Sequence, residues 1–337
     1  MDVHFGVTFA PGPLREFTAW AKLADELGYE ILGIGDSQSL YRELYVGCAL
    51  AALNTKRIKL GPRVTNPLTR HPAVTASSIA SINELSGGRA LLGLGTGDSA
   101  VLNLGLRPAK MAQLEEYIVA IKGLFKKGET TYQGRTIRLT WAKEPVPIYI
   151  AAEGPKMLRL AGRLADGIVV GMGLTPELVK DAINYIREGA QEAGRKLEDI
   201  DIWWIVKGIV GEDREAAVRE IRMALAASAH HAFRFTLEGK RVPPDLVDKV
   251  ETLKREYRAQ EHEQLGAGKY NADLVDRLGL RDFLAERFAM AGTPRDCIKK
   301  IESLAEAGAN KLWISVIVLD RPGYMRTMAE RVIPAFR

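Results

Sequence analysis

Six stretches of this chain bring together residue types that can bind or transfer something. Asp36 closes a short apolar run beside Ser37. A carboxylate there can serve as acid, base or hydrogen-bond acceptor, or simply cap a helix. The run Gly61-Pro62-Arg63-Val64-Thr65-Asn66-Pro67 packs two prolines and a glycine into seven residues. It cannot continue a regular ladder, so a bulge that re-aims side chains is expected. His71 follows just before Pro72, where an imidazole either donates to a ligand or caps the helix that begins there. In Gly93-Leu94-Gly95-Thr96-Gly97-Asp98 the glycines let backbone N–H groups come close to a ligand's oxygens. The spacing is not that of the dinucleotide fingerprint. Finally, Ala151-Ala152-Glu153-Gly154-Pro155-Lys156 leads from a strand into a helix, with Met157 next and proline at the first helical position. The unpaired amides and positive dipole end of such a helix suit a phosphate, and Lys156 adds charge. Gly171-Met172-Gly173 offers a second backbone edge of the same kind.

These stretches are positioned by an alternation of strand and helix signals. Strands are expected at Val3–Phe9, Ile31–Gly35, Ile58–Thr65, Ala90–Gly95, Pro147–Ala152, Gly167–Val170, Ile200–Val206 and Lys311–Val316. Helices lie between them, among them Leu14–Leu27, Tyr45–Leu53, Ala73–Glu84, Met111–Lys127, Lys156–Ala165 and Pro176–Gly194. A small hairpin over Thr131–Leu139 turns at Gly134, and Tyr324–Phe336 closes the chain as a helix. Strand, helix, strand units with short links make a parallel sheet. Eight of them predict an α/β fold, a (β/α)₈ TIM barrel over residues 1–337 as one domain, with an open doubly wound sheet as the competitor. The candidate residues all follow the carboxyl ends of strands, where such folds build their sites. Residues 230–291 break the alternation. They are polar and mostly helical (Pro244–Gln264, then Asn271–Met290), an insertion between strands seven and eight that reads as a lid or as a contact between copies.

Composition narrows the classes. Hydrophobic residues make up 47% and charged residues 26% of 337, the balance of a soluble globular protein. The net charge of +5 is spread along the chain without a basic stripe, so no nucleic-acid partner is expected. No window approaches the apolar length of a membrane span, and the opening residues show no secretory pattern, so a cytoplasmic protein is expected. Cys48 and Cys297 are isolated, and His230 and His231 are adjacent rather than at ligand spacing, so no metal is expected. Nucleophile-elbow, zincin and P-loop patterns are absent.

The blocks Gly61-Pro-x-Val-Thr-Asn-Pro-x-Thr-Arg-His-Pro-x-Val-Thr-Ala-Ser, Ser86-Gly-Gly-Arg-Ala and Gly95-x-Gly-Asp98 closely resemble the luciferase-like flavin and deazaflavin oxidoreductases, above all the methylenetetrahydromethanopterin reductase branch. Gly154-Pro-x-Met157-Leu, Ala165-Asp-Gly167 and Glu192-Ala-Gly194-Arg195 extend the resemblance over nearly the whole chain. It implies a luciferase-like TIM barrel with an insertion and a cofactor at the carboxyl ends of the strands, either the deazaflavin coenzyme F420 or FMN. Thr65 and Asn66 would lie along the tricyclic ring, with His71 in the same block, and Gly95, Thr96, Gly97 and Asp98 would line its other edge. Glu153, Gly154, Pro155, Lys156 and Met157, with Gly171, would hold the phosphate-bearing tail, and Asp36 would stand near the reactive centre. The pattern of the branch is broken at Thr8, where it carries glutamate, and at Ser37, where it carries histidine, which leaves the substrate open.

The expected reaction is hydride transfer from the reduced deazaflavin to a C=O, C=N or activated C=C bond of a small molecule. Asp36 or Asp98 would return the proton as general acid. An FMN-dependent monooxygenase is the alternative, and a non-catalytic flavin-binding protein the second. A homodimer or homotetramer is expected by family analogy alone.

Overall fold

The computed structural model describes residues 1–142, 144–262 and 269–337. Eight strands form one parallel sheet: β1 (His4–Phe9), β2 (Ile31–Ile34), β3 (Lys59–Pro62), β4 (Leu92–Leu94), β5 (Ile148–Ala152), β6 (Gly167–Val170), β7 (Asp201–Val210) and β8 (Lys311–Ser315). Their hydrogen-bonded order is β3-β2-β1-β8-β7-β6-β5-β4, and a parallel bridge between Leu60 and Ala90 joins the two ends. This cyclic order is that of a nearly closed (β/α)₈ barrel, as expected. The strands read as unbroken apolar runs because both faces are covered; Ile31, Leu32 and Ile34 are fully buried.

Helices alternate with the strands: α1 (Leu14–Glu26), α2 (Leu44–Asn54), α3 (Pro72–Ser86), α4 (Met111–Lys127), α5 (Pro155–Leu164) and α6 (Pro176–Glu192). The hairpin pairs Glu129–Tyr132 with Arg135–Arg138, and Gly134 takes φ 72° in its turn. The chain clusters into two compact units. The first comprises Met1–Val7, Ala152–Leu164 and Ile168–Arg337; the second comprises Thr8–Ala151 and Ala165–Gly167.

In the first unit β7 is long. Its first half pairs with β8, and its second half pairs with an added parallel strand, Ala289–Gly292. That strand corrects the helix expected to run on to Met290: the helix stops at Phe288, and Ala289 is already extended. The expected insertion start at His230 is also revised. His230 and His231 lie inside the helix Arg222–Phe233. Beyond it come Val247–Glu256, Lys269–Arg277 and Arg281–Phe288. The helix expected over Pro244–Gln264 stops at Glu256, where Tyr257 turns extended; Glu263 and Gln264 lie outside the described residues. Trp203 and Trp313 meet edge to face at 5.8 Å, and the Trp313 indole donates to the Val7 carbonyl at 3.0 Å.

In the second unit a local register change matters most. Leu60 pairs with Ala90 and Thr65 with Leu94, so five steps along the β3 side match four along the β4 side. One residue is therefore extra, and the chain bulges between Leu60 and Thr65, as the Gly-Pro-Arg-Val sequence predicts. The Arg63–Val64 peptide bond is cis. Glycine is required on both sides. A Cβ on Gly61 would lie 1.9 Å from the Leu91 carbonyl oxygen, and one on Gly93 would lie 2.1 Å from that of Pro62.

Candidate active site

The bulge delivers Thr65 and Asn66 to the second unit's site. The Thr65 amide donates to the Gly93 carbonyl at 2.9 Å, and the Gly95 amide donates to the Thr65 carbonyl at 2.9 Å. The loop after β4 is thereby fastened to the loop after β3. Gly97 has φ 95°, and a Cβ there would sit 3.4 Å from Asn66 Cβ. Thr65, Asn66, Gly95 and Gly97 thus form one ledge, where the resemblance implies two edges of the ring. Thr65 and Asn66 are buried. The Asn66 side-chain oxygen accepts from the amides of Leu68 and Thr69 at 3.0 and 3.1 Å, an Asx turn that shapes the loop. The Asp98 carbonyl accepts from the amides of Val101 and Leu102, so this residue opens the short turn Ser99–Leu102.

Asp36 is 2% exposed at its side chain and heavily engaged. Thr65 Oγ1 donates to its Oδ2 at 2.6 Å and Arg70 Nη1 at 2.8 Å, while Arg70 Nη2 donates to Glu43 Oε1 at 2.8 Å. Arg70 also lies over the Tyr45 ring, 5.2 Å from its centroid. Burial pulls the Arg70 guanidinium down, but Asp36 and Glu43 outweigh it and hold the charge. Asp36 is therefore an ion-paired acceptor that anchors Thr65. Neither Arg70 nor Glu43 was singled out from sequence. The available signal was Arg70 itself, inside the Thr69-Arg70-His71 block with no acidic neighbour to answer it locally.

His71 is the N-cap of α3: its Nδ1 accepts from the Ala73 amide at 3.2 Å, and its exposed ring meets Tyr132 edge-on at 5.4 Å. Of the two roles open to it, the structure shows the cap. Four buried hydroxyls in this unit, Thr8 Oγ1, Ser37 Oγ, Tyr45 OH and Thr69 Oγ1, have no hydrogen-bond partner among the described residues. Unanswered buried polar atoms on this scale are what a site built for a polar ligand leaves behind.

The first unit carries the other cluster. Pro155 opens α5, so Gly154 lies immediately before it and the amides of Lys156 and Met157 have no acceptor within the helix. Glu153 Oε1 faces His231 Nδ1 at 3.5 Å. Burial pushes the Glu153 carboxyl up, but His231, Arg234 and Lys240 outweigh it and leave it below the usual range. A Cβ on Gly171 would lie 2.8 Å from Glu153 Cγ, so glycine there makes room for this carboxylate. Two buried cations nearby carry no signal in the sequence pattern. Lys240 is 4% exposed and Arg287 is 2% exposed. Lys240 donates through Nζ to the Ala232 carbonyl. Arg287 donates to the carbonyls of Lys240 and Met172, both at 2.7 Å, and packs over Phe233 and Phe288. Burial draws Lys240 down to about 8 and Arg287 down to about 10.

The profile of the Luciferase-like monooxygenase family matches residues 3–311. This chain belongs to that family. Among relatives of the luciferase-like chain, 5,10-methylenetetrahydromethanopterin reductase of Methanolobus tindarius is 33% identical over 316 residues, covering 91% of this chain and 92% of its own. F420-dependent glucose-6-phosphate dehydrogenase of Nakamurella multipartita is 29% identical, covering 98% of this chain and 94% of its own. The solved coenzyme F420-dependent tetrahydromethanopterin reductase of Methanopyrus kandleri superposes with a TM-score of 0.78 at 29% identity, covering 100% of both chains. An F420-dependent secondary alcohol dehydrogenase shares the luciferase-like fold, with a TM-score of 0.77 at 20% identity. The family and these relatives make the chain an oxidoreductase-type enzyme. No described helix is long and apolar enough to cross a membrane.

Proposed function

We propose that this protein is a coenzyme F420-dependent oxidoreductase acting on the C=O, C=N or activated C=C bond of a small molecule. The observation that carries the reading is the bulged ledge of Thr65 and Asn66 against Gly95 and Gly97, in a chain some of whose full-length relatives are named for F420. The residues fit such a group on their own terms: glycine-lined backbone, buried hydroxyls without a hydrogen-bond partner among the described residues, and a helix opened by proline.

In this reading Thr65, Asn66, Gly95, Thr96 and Gly97 take the ring, and Glu153, Gly154, Pro155, Lys156 and Met157, with Gly171, take the phosphate. When bound, the deazaflavin supplies two-electron hydride chemistry. The chain supplies position and charge. Asp36, fixed by Arg70, orients the Thr65 hydroxyl and sets a negative field at the ledge. Because Asp36 is ion-paired, proton donation falls to Asp98, the other carboxylate at this edge. Thr8 and Ser37 present hydroxyls to a polar substrate.

The test is equilibrium titration of the purified protein with oxidised F420 and with FMN, followed by fluorescence. Tighter binding of F420 and turnover under anaerobic conditions are expected. FMN binding coupled to oxygen uptake would replace this reading with a monooxygenase.

A further inference from the structure

Glu43 has so far only helped to hold the charge of Arg70, yet both of its oxygens are engaged. Oε2 accepts from the Val46 amide at 2.9 Å and caps α2, while Oε1 accepts from Arg70 Nη2 at 2.8 Å. The Glu43 side chain is 47% exposed, and an ion pair to so exposed a partner adds little to stability. Its effect on the geometry of Arg70 is more consequential.

A guanidinium facing a carboxylate commonly grips both oxygens with two parallel N–H bonds. Arg70 does not grip Asp36 in this way. Nη1 is 2.8 Å from Asp36 Oδ2, but Nη2 is 3.5 Å from Asp36 Oδ1 and 2.8 Å from Glu43 Oε1. The fork is split between two acids. The short bonds to Asp36 converge on one oxygen, since Thr65 Oγ1 also donates to Oδ2, at 2.6 Å. Oδ1 is left with the single long contact, on a side chain that is almost wholly buried. A buried carboxylate oxygen ordinarily accepts more than that. Two carboxylates thus share one guanidinium, and the triad of Asp36, Arg70 and Glu43 keeps one net negative charge.

We infer that Glu43 is a positioning residue: by drawing off one arm of Arg70 it keeps Asp36 from being neutralised, and the charge retained beside the ledge favours departure of a hydride from a ring seated there. This deepens, and rests on, the F420 reading. Hydride departure carries one negative charge from the ring to the substrate carbon. The electron pair of the substrate's double bond then moves to its oxygen or nitrogen, which takes a proton. A fixed negative neighbour therefore disfavours the reduced ring relative to the oxidised one and makes it the stronger donor. The triad is joined to the ledge directly: Asp36 Oδ2 holds the hydroxyl of Thr65, whose amide and carbonyl fasten the loops after β3 and β4 together.

The experiment compares wild type, Glu43→Ala, Glu43→Asp and Asp36→Asn by two readouts. The first is anaerobic titration with oxidised and with reduced F420 at one pH, followed by tryptophan fluorescence, which gives the ratio of the two affinities. The second is a crystal structure of Glu43→Ala without cofactor. Glu43→Ala and Asp36→Asn each leave the triad neutral and are expected to shift the ratio toward the reduced form by about fivefold or more. Glu43→Asp, which keeps the charge, recovers most of that shift. In the crystal structure of Glu43→Ala, Arg70 Nη2 closes on Asp36 Oδ1 to hydrogen-bond distance. A role confined to capping α2 would change both affinities alike and leave their ratio where it was. The inference is overturned by an unmoved ratio in protein that binds both forms, or by an Arg70 that stays off Oδ1 once Glu43 is gone. Should wild type bind neither form, the F420 reading fails alone, and the position of Arg70 in Glu43→Ala still decides whether Glu43 splits the fork.

Discussion

A half-buried arginine and a fully buried one show how differently the two units treat charge. In the second unit Arg70 is answered on both sides, by Asp36 at 2.8 Å and Glu43 at 2.8 Å. In the first unit Arg287 and its neighbour Lys240 meet only carbonyl oxygens and aromatic faces. The protein itself satisfies the first arrangement, so its charges are there to hold the ledge in shape. Burial of a charge thus takes two forms, and the bonding partners separate them: Arg70 is answered by carboxylates, whereas Arg287 and Lys240 are held by carbonyl oxygens and ring faces.

Substitutions can break or sharpen this contrast, beginning with the backbone contact beneath the ledge. Gly61→Ala drives a methyl into the Leu91 carbonyl oxygen and is expected to cost at least about 3 kcal/mol, read as a large drop in melting temperature or loss of soluble protein. Arg70→Met strands the Asp36 carboxylate and should cost about 3–5 kcal/mol. Arg287→Met strands no carboxylate and loses two bonds to carbonyls, so about 1–3 kcal/mol is expected. If the two arginine variants melt alike, the distinction between answered and unanswered charge fails.

The pH dependence offers a finer test. Burial, with Arg287, Arg234 and Lys254 nearby, outweighs the opposing pull of Glu153 and lowers Lys240 from 10.5 to about 8. Below about pH 8 both folded and unfolded chains carry this proton, and the full cost of the buried charge is present. Between about 8 and 10.5 the folded chain has released it while the unfolded chain keeps it, so stability contributed by this site rises with pH. The melting difference between wild type and Lys240→Met should therefore shift in favour of wild type over that window; a flat difference would argue against a buried ammonium. The smallest effect belongs to His71→Ala, which removes a helix cap at a cost of about 1 kcal/mol and should leave F420 affinity unchanged.

Much of this architecture was legible in the residues. The eight strands announced themselves as apolar runs because a parallel barrel buries both faces, and Gly61, Pro62 and Pro67 signalled the bulge because they cannot continue a regular ladder. Pro155 marked the helix opening for a similarly local reason. The charge partners were not legible. Arg70 finds Asp36 and Glu43 at 34 and 27 residues' distance, and nothing in the spacing distinguishes that pair from a solvated one. Lys240 sits in a polar turn that reads as surface until the fold seats it on Pro155. Ala289 and Met290 read as helix because the strand character of Ala289–Gly292 comes from pairing with β7 rather than from its own sequence.

The most direct test of the central claim is a crystal structure of the protein soaked with F420. The deazaflavin ring is expected on the ledge of Thr65, Asn66, Gly95 and Gly97, with Asp36 still paired to Arg70. A ring found elsewhere, with that ledge bare, would contradict it.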